Sequence, residues 1–345
     1  MKNFTIRSRK FPLSNQIHLP SLIVFLILAL LCGAVMIISV GLGEMNISPL
    51  DATRALFGIG NPSDEVIIYT LRLPRLLMAL LVGASLAVSG AILQGVMRNP
   101  LSSPDVIGIT GGASVVAVFL LTFLTDLATY WLPLASFVGG SLTALFIYSL
   151  AWKQGVSPLR IVLIGIGINA AANGLTTLLL ILSPMYAVNQ AMVWLTGSVY
   201  SSSWKTVTTF FPWALVLLSL SFVISRHLNA QQMGDEVATG IGHQVQRHRL
   251  IAVLVSVGLA SSVVAFTGPI AFVGLMAPHI ARMLTGPSYG RMLPIAALVG
   301  SFLVMSADLI ARTAFSPLDL PAGLFTAALG APFLIILLHR SGQKF

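Results

Sequence analysis

Long apolar segments alternate with short polar ones along the whole chain. A helix that crosses a bilayer needs about 20 residues, each adding about 1.5 Å. By that measure the pattern predicts ten membrane-spanning helices, near residues 19–43, 66–97, 105–125, 130–152, 158–183, 206–226, 249–267, 271–286, 290–312 and 321–340. The eighth is short and contains Pro278, and the second is longer than one crossing requires. We therefore expect an all-α polytopic membrane protein.

The positions of lysine and arginine set the orientation of these spans. With the N-terminus in the cytoplasm, 14 of the 19 basic residues fall on the cytoplasmic side. The five on the outer side are Arg54, Arg72, Arg75, Lys205 and Arg312. Cytoplasmic loops of membrane proteins carry such an excess, and miscounting one span would reverse every later loop. Both termini are therefore expected in the cytoplasm.

Composition narrows the class further. Hydrophobic residues make up 56% of the 345 and charged residues 8%, whereas a soluble domain carries about 25% charged residues. No polar block is large enough for a soluble catalytic domain, and the lone Cys32 excludes a disulfide within the chain. The net charge of +9 fits positive cytoplasmic loops and does not call for a nucleic-acid partner.

The domain organisation follows from the same pattern. The basic start precedes an apolar run that is too long for a signal peptide and lacks an A-x-A cleavage site, so we interpret that run as a retained first span. We expect a cytoplasmic tail at 1–18, one transmembrane domain at 19–340 and a short tail at 341–345. A cytoplasmic loop at 226–249 lies inside that domain.

Motifs for chemistry within the chain are missing. There is no G-x-x-x-x-G-K-[ST] loop for nucleotide phosphates, no H-E-x-x-H and no C-x-x-C. The six histidines lie mostly at loops or helix ends without metal-ligand spacing, and His279 is most simply a packing or capping residue. We therefore predict no catalytic residue, no metal site and no cofactor. Spans with so few carboxylates also argue against a carrier driven by protons or sodium.

Two similar motifs hint at an internal repeat. SGAILQGVMRNP ends the second span, and TGPIAFVGLMAP follows the seventh, on the opposite side of the membrane. An inverted repeat of spans 2–5 and 7–10, typical of transporters, would produce this relation. Chance similarity in a sequence rich in glycine and alanine would produce it equally well.

The loop at 226–249 is too polar for lipid and rich in helix formers. Two carboxylates open a predicted helix, and glycines flank it: Gly234, Asp235, Glu236, Gly240 and Gly242. Carboxylates are favoured at a helix N-terminus, and glycine ends helices. Val237, Ala238 and Ile241 give this helix an apolar edge. The pattern favours a docking surface for another protein over an ordinary solvated loop.

Three arginines stand out on the outer side. Arg72 and Arg75 share a helix face at i, i+3 spacing, near a helix N-terminus where a cation costs about 0.3–1 kcal/mol. Arg312 follows Asp308 at i, i+4 spacing, which permits an ordinary helical ion pair. The alternative is that these arginines receive carboxylates from an extracytoplasmic partner and orient its docking.

The fifth span carries a polar stripe between small residues. Asn169 and Asn173 lie one turn apart on a common face, among Gly165, Gly167 and Gly174. Such a stripe either lines a passage or forms hydrogen bonds between closely packed helices. The sequence leaves both possibilities open.

Several of these segments together resemble one family. Four segments occur in the same order as in that family: LRLPRLLMALLVGASLAVSGAILQGVMRNPLSSPDVIGITGGAS, GDEVATGIG, GPIAFVGLMAPHIARML and ADLIARTAFSPLDLPAGLFTAALGAPFLIILL. From about residue 20 to 340 the chain resembles the FecCD-type permease subunits of ATP-driven importers for vitamin B12 and iron–siderophores. The resemblance implies ten helices per subunit, a multi-pass protein of the bacterial cytoplasmic membrane, and no enzymatic activity in this chain.

The resemblance also implies partners. The transporter would be completed by a second permease subunit, which is identical or similar to this chain. It would also contain two cytoplasmic ATPase subunits that use ATP and an extracytoplasmic substrate-binding protein. The family's ATPases dock on the loop at 226–249.

Residue roles carry over by motif. The family's binding-protein contacts correspond to Arg72, Arg75 and Arg312, which in the family meet acidic residues of the binding protein. Its N-P-L motif, which helps close the cytoplasmic end of the path, corresponds to Asn99 and Leu101. At a second constriction, before the fifth span, the family often has small hydroxyl residues; only Ser157 matches here, followed by a departure at Pro158.

The Q-G-x-x-R-N-P-L form of residues 94–101 is more similar to siderophore permeases than to cobalamin permeases. We therefore expect a ferric siderophore as the substrate. A cobalamin or haem permease of the same family is one alternative. A secondary carrier or metal-ion channel, with all coupling inside this chain, is another.

Overall fold

Helices make up most of the computed structural model, which describes residues 3–7, 14–43, 47–56, 58–153, 155–315 and 318–342. Two short antiparallel strands, β1 (Asn3–Arg7) and β2 (Ser14–His18), precede the first helix. The α-helices in the described ranges are α1 (Leu19–Gly41), α2 (Pro49–Leu56), α3 (Pro62–Ile67), α4 (Leu73–Met97), α5 (Pro104–Ile107), α6 (Ile109–Phe123), α7 (Thr125–Ala151), α8 (Pro158–Ile181), α9 (Met185–Leu195), α10 (Trp204–Gln232), α11 (Asp235–Gly240), α12 (Val245–Thr267), α13 (Val273–Thr285), α14 (Tyr289–Thr313) and α15 (Ala322–Gly342). A π-helical turn, Ile68–Arg72, joins α3 to α4.

The all-α membrane architecture predicted from the sequence is confirmed. Each predicted apolar segment lies on a helix, and eight helical segments among the described residues are long and apolar enough to cross a membrane. The other two predicted spans correspond to α6, of 15 residues, and α13, of 13 residues. The sequence pattern missed α2 and α9, because these helices are short and lie between the spans, and it missed that α3 extends the second span back to Pro62.

α4 is the central helix of the bundle and packs against α10, α12, α13 and α14. Two glycines allow this contact, because a Cβ on Gly83 would lie 2.2 Å from the carbonyl oxygen of Gly300. A Cβ on Gly90 would lie 1.7 Å from the carbonyl oxygen of Gly274. Small residues let helix backbones approach closely in membrane proteins. The close approach explains why almost every residue from the middle of α4 onward is buried.

The eighth predicted span is short because its helix begins inside the bundle. α12 ends at Thr267, and Gly268 takes a left-handed φ of 68° that stops it. Residues 269–272 then run back to place the start of α13 beside Gly90. Gly90 lies seven residues before the end of α4, about 10 Å at 1.5 Å per residue. α13 therefore covers only part of the bundle's depth.

The two motifs that suggested an internal repeat have different backbone conformations. SGAILQGVM is helical up to Met97, whereas TGPIAF leaves the helix at Gly268. The similarity of the two strings therefore does not mark equivalent structural segments. The inverted repeat of spans 2–5 and 7–10 stays a prediction, as does the assignment of 1–18 and 341–345 as tails.

Candidate functional site

Two of the outer arginines hold the end of α1. The guanidinium of Arg72 donates to the carbonyl oxygens of Val40 and Gly41, the second at 3.0 Å. Arg312 donates to the carbonyl and hydroxyl oxygens of Ser39. The last carbonyls of a helix lack intrahelical partners and carry partial negative charge, so cations stabilise them. Both arginines are thus buried and paired with the last turn of α1.

The third outer arginine joins two carboxylates. Nε of Arg75 lies 2.9 and 3.0 Å from the two carboxylate oxygens of Asp308, and its terminal nitrogens lie 3.2 and 3.0 Å from those of Asp319. The guanidinium also lies 5.2 Å from the centre of the Tyr200 ring. Arg312 reaches Asp308 only at 4.0 Å, so the helical ion pair expected from their spacing is the weaker contact. No sequence pattern pointed to Asp319, because it lies in an irregular segment before α15.

These groups surround an open pocket of about 510 Å³ at the outer end of α4. Its walls are Gly43, Ile67, Leu71, Arg72, Arg75, Tyr200, Ser201, Ser202, Arg312, Leu318 and Asp319. The structure therefore brings the three sequence-predicted arginines together. We call this cavity the arginine pocket.

The predicted gate residues lie at the opposite end of α4. Arg98 ends the helix with a left-handed φ of 49°, and the side-chain oxygen of Asn99 accepts a hydrogen bond of 2.9 Å from the Leu101 amide. Asn99 and Ser157 line one cavity of about 470 Å³, whereas Leu101 is half-buried outside its walls. The structure thus brings two of the three predicted gate residues to one opening.

Asp235, the first residue of α11, connects the cytoplasmic loop to the predicted gate residues. Its carboxylate forms an ion pair with Arg98 and a two-oxygen pair with Arg249 at 2.9 and 2.8 Å. Arg249 is buried and also donates to the carbonyl oxygen of Val156, just before Ser157. One carboxylate therefore links α11 to the turn after α4 and to the segment before α8. The sequence singled out Asp235 but neither arginine as its partner.

α11 itself matches the sequence prediction. It begins at Asp235 after Gly234 (φ 101°) and ends at Gly240, with Gly242 (φ 80°) in the following turn. Of the predicted apolar edge, Ala238 is buried. Val237 and Ile241 are exposed one turn apart on α11 and its C-terminal cap, beside the exposed Glu236, and Met233 is exposed just before Gly234.

The two asparagines of α8 have different surroundings. The Asn169 side chain donates to the carbonyl oxygen of Asp105 at 3.1 Å, so it joins α8 to α5. Asn173 is exposed, and a Cβ on Gly167 or Gly174 would meet nothing within 4 Å. α8 thus has a packed edge at Asn169 and an open face of small and polar residues.

Known proteins resemble this chain in sequence and in fold. The model of the FecCD transport family matches residues 26–340. The chain is 49% identical to "Probable siderophore transport system permease protein YfhA" of Bacillus subtilis (strain 168), over 92% of this chain and 95% of that protein. It is 46% identical to the achromobactin transport system permease protein CbrC of Dickeya dadantii (strain 3937), over 95% and 94%. A solved chain described as an inward-facing conformation of a metal-chelate type ABC transporter shares 30% identity and a TM-score of 0.83, covering 92% of this chain and 99% of that one.

Proposed function

This chain belongs to the FecCD transport family and is a multi-pass permease of the cytoplasmic membrane, and we propose that it forms the path along which an ATP-driven importer moves a ferric siderophore. The observation that supports this choice of substrate is the near full-length likeness to a siderophore transport permease and to an achromobactin transport permease from different genera. A secondary carrier or metal-ion channel has no comparable support.

An acidic side chain of an extracytoplasmic binding protein is the proposed occupant of the arginine pocket. Three arginines face one lining carboxylate there, with Asp308 buried behind them, so the pocket keeps a positive balance. The arginines are already paired within the chain, so the partner's carboxylate would enter the pocket and add to an existing network. Such charges mainly guide and orient docking.

Separate ATPase subunits are the proposed partners of the exposed face of α11. Val237 and Ile241 are exposed apolar residues on this face, with Glu236 at their side and the exposed Met233 just before the helix. Exposed apolar residues that cluster on one face are typical of protein interfaces. Movement of α11 would reach the gate at Asn99 through the ion pairs of Asp235. ATP would be used by those subunits, and this chain would carry no cofactor.

A second permease subunit is the proposed neighbour of the open face of α8. Glycines at 167 and 174 would let another helix approach closely, and Asn173 would face the passage between the two subunits. In this arrangement Asn169 stabilises the wall of the path from behind, through Asp105.

Uptake of radiolabelled iron bound to a panel of siderophores tests the substrate. We expect a strain that lacks this chain to lose uptake of one siderophore class and to recover it when the gene is restored. Normal uptake of every ferric siderophore, together with loss of cobalamin or haem uptake, would contradict the proposal. Uptake by the purified chain alone, driven by a proton gradient, would contradict the ATP-driven mechanism.

A further inference from the structure

Three histidine side chains converge beside α11 on the cytoplasmic side. His227 lies near the end of α10, His243 in the turn after α11, and His248 in the first turns of α12. Their ring centres are 3.8 Å (227–248), 4.3 Å (243–248) and 5.2 Å (227–243) apart. One ring nitrogen from each lies within 4.8 Å of the other two. The linear spacing shows no metal motif, because separate elements supply the three residues.

A hydrogen bond orients one of these rings. Nδ1 of His248 lies 2.9 Å from the backbone carbonyl oxygen of Gln244 and donates to it, which leaves Nε2 as the nitrogen with a free electron pair. Histidines that bind metals usually donate their other ring N–H to such a carbonyl. His248 is therefore held in the form that binds a metal.

The environment of the Nε2 atom of His243 indicates a missing ligand. It is buried and has no hydrogen-bond partner among the described residues. Buried polar atoms in proteins nearly always have a partner, so one without it needs an explanation. A cation at this point would satisfy the nitrogen.

We propose that His227, His243 and His248 bind one divalent transition-metal ion, with a fourth position left for water. Three imidazoles suit borderline ions such as Zn²⁺, Co²⁺ or Fe²⁺, whereas Ca²⁺ and Mg²⁺ prefer oxygen ligands. Ligand nitrogens on a tetrahedral ion stand about 3.3 Å apart, given metal–nitrogen bonds of about 2.0–2.1 Å. The rings now lie stacked, with interplanar angles of 16–30°, so binding would require side-chain rotations that turn their in-plane electron pairs toward one point.

The ion would tie together the three elements that frame α11. The end of α10, the turn after α11 and the start of α12 each supply one ligand. Occupancy would therefore stiffen the surface that we assign to the ATPase subunits. The binding itself does not rest on the proposed function, because it involves this chain alone and no transported substrate.

Titration of the purified full-length chain with Co²⁺, prepared without a polyhistidine tag, tests the site. We expect one equivalent of Co²⁺ to give the visible absorption of a tetrahedral complex and Zn²⁺ to displace it. In His243→Ala and His248→Asn the dissociation constant should rise about tenfold or more, since loss of an outer-shell partner alone has that effect. His339→Ala removes a lone exposed histidine on α15 and should bind like the unmodified chain.

Thermal unfolding supplies a second measurement. Co²⁺ should raise the unfolding temperature of the unmodified chain and of His339→Ala, because a ligand that binds only the folded state stabilises it. Without stoichiometric binding by the unmodified chain, the proposal is wrong whatever the variants do. Equal binding by His243→Ala and His339→Ala would also overturn it. Siderophore uptake is measured separately, so failure here leaves the importer assignment untouched.

Discussion

Arg75 connects three parts of the outer end of the molecule. It lies on α4, Asp308 lies on α14, and Asp319 lies in the segment that leads into α15. Paired guanidinium and carboxylate groups in a buried place depend on each other, because removing one leaves the other charge without compensation. The contribution of Arg75 to the stability of the fold therefore has to be measured separately from any contribution to docking.

We expect Arg75→Ala to lower the free energy of unfolding by about 3–5 kcal/mol, because Asp308 would remain buried and charged. The double variant Arg75→Ala/Asp308→Asn should recover much of that loss, since the buried charge is then removed. Thermal unfolding in detergent measures both. If the single variant is as stable as the unmodified chain, the pair does not stabilise the fold.

The same double variant tests docking. It should bind the extracytoplasmic partner more weakly while its basal ATP hydrolysis with the cytoplasmic subunits stays largely intact. Arg54→Ala is the matched control, because Arg54 is an exposed outer arginine on α2, away from the walls of the arginine pocket. Equal partner binding by the double variant and the control would remove the docking role of Arg75.

At the scale of single helices, α11 is the proposed link between the ATPase subunits and the gate residues. Its first residue pairs with Arg98 and Arg249, whereas the next residue, Glu236, is exposed. We expect Asp235→Asn to uncouple the transporter, so that ATP hydrolysis continues while uptake falls, because the link between α11 and the gate is weakened. Hydrolysis and uptake measured in the same proteoliposomes decide this.

Glu236→Gln is the natural comparison for Asp235→Asn. It removes a neighbouring carboxylate that makes no ion pair among the described residues. We expect it to change affinity for the ATPase subunits more than the ratio of hydrolysis to uptake. Normal coupling in Asp235→Asn would refute the assigned role of this loop.

α8 offers a test of the subunit interface. Gly174→Leu should fold normally, because a side chain there meets nothing within the chain, yet it should reduce uptake and pairing of permease subunits. Gly33→Leu on α1 is the control, since a Cβ at Gly33 also meets nothing within 4 Å. Cross-linking of permease pairs measures the effect. Equal cross-linking in the two variants would exclude this face of α8 from the interface.

At the scale of the whole molecule, α4 connects the arginine pocket at one end with the proposed gate residues at the other. Gly90 lets it pack against the start of α13, so Gly90→Ala should cost about 1–3 kcal/mol or more through overpacking. Gly167→Ala, on the open face of α8, should cost far less. The unfolding temperatures of the two variants measure the difference. Similar temperatures would mean that the α4–α13 contact is looser than described.

The sequence by itself determined the class, the orientation and most of the helices. Apolar length and the placement of lysine and arginine depend only on the cost of putting polar groups into lipid, and that cost is local. For the same reason the ends of α11 were predictable from Gly234 and Gly242, whose positive φ angles act within a few residues.

Only the tertiary structure decided which side chains meet. Asp235 and Arg98 are 137 residues apart in the sequence, and Arg75 and Asp308 are 233 residues apart, so no spacing rule predicts these pairs. The start of α13 inside the bundle depends on the contact of Gly90 with Gly274, which no apolar pattern reveals. His227, His243 and His248 likewise lack a linear motif and converge because separate elements end at one place. Local interactions determine where the helices begin and end, whereas the packing of elements that are distant in the sequence brings the site residues together.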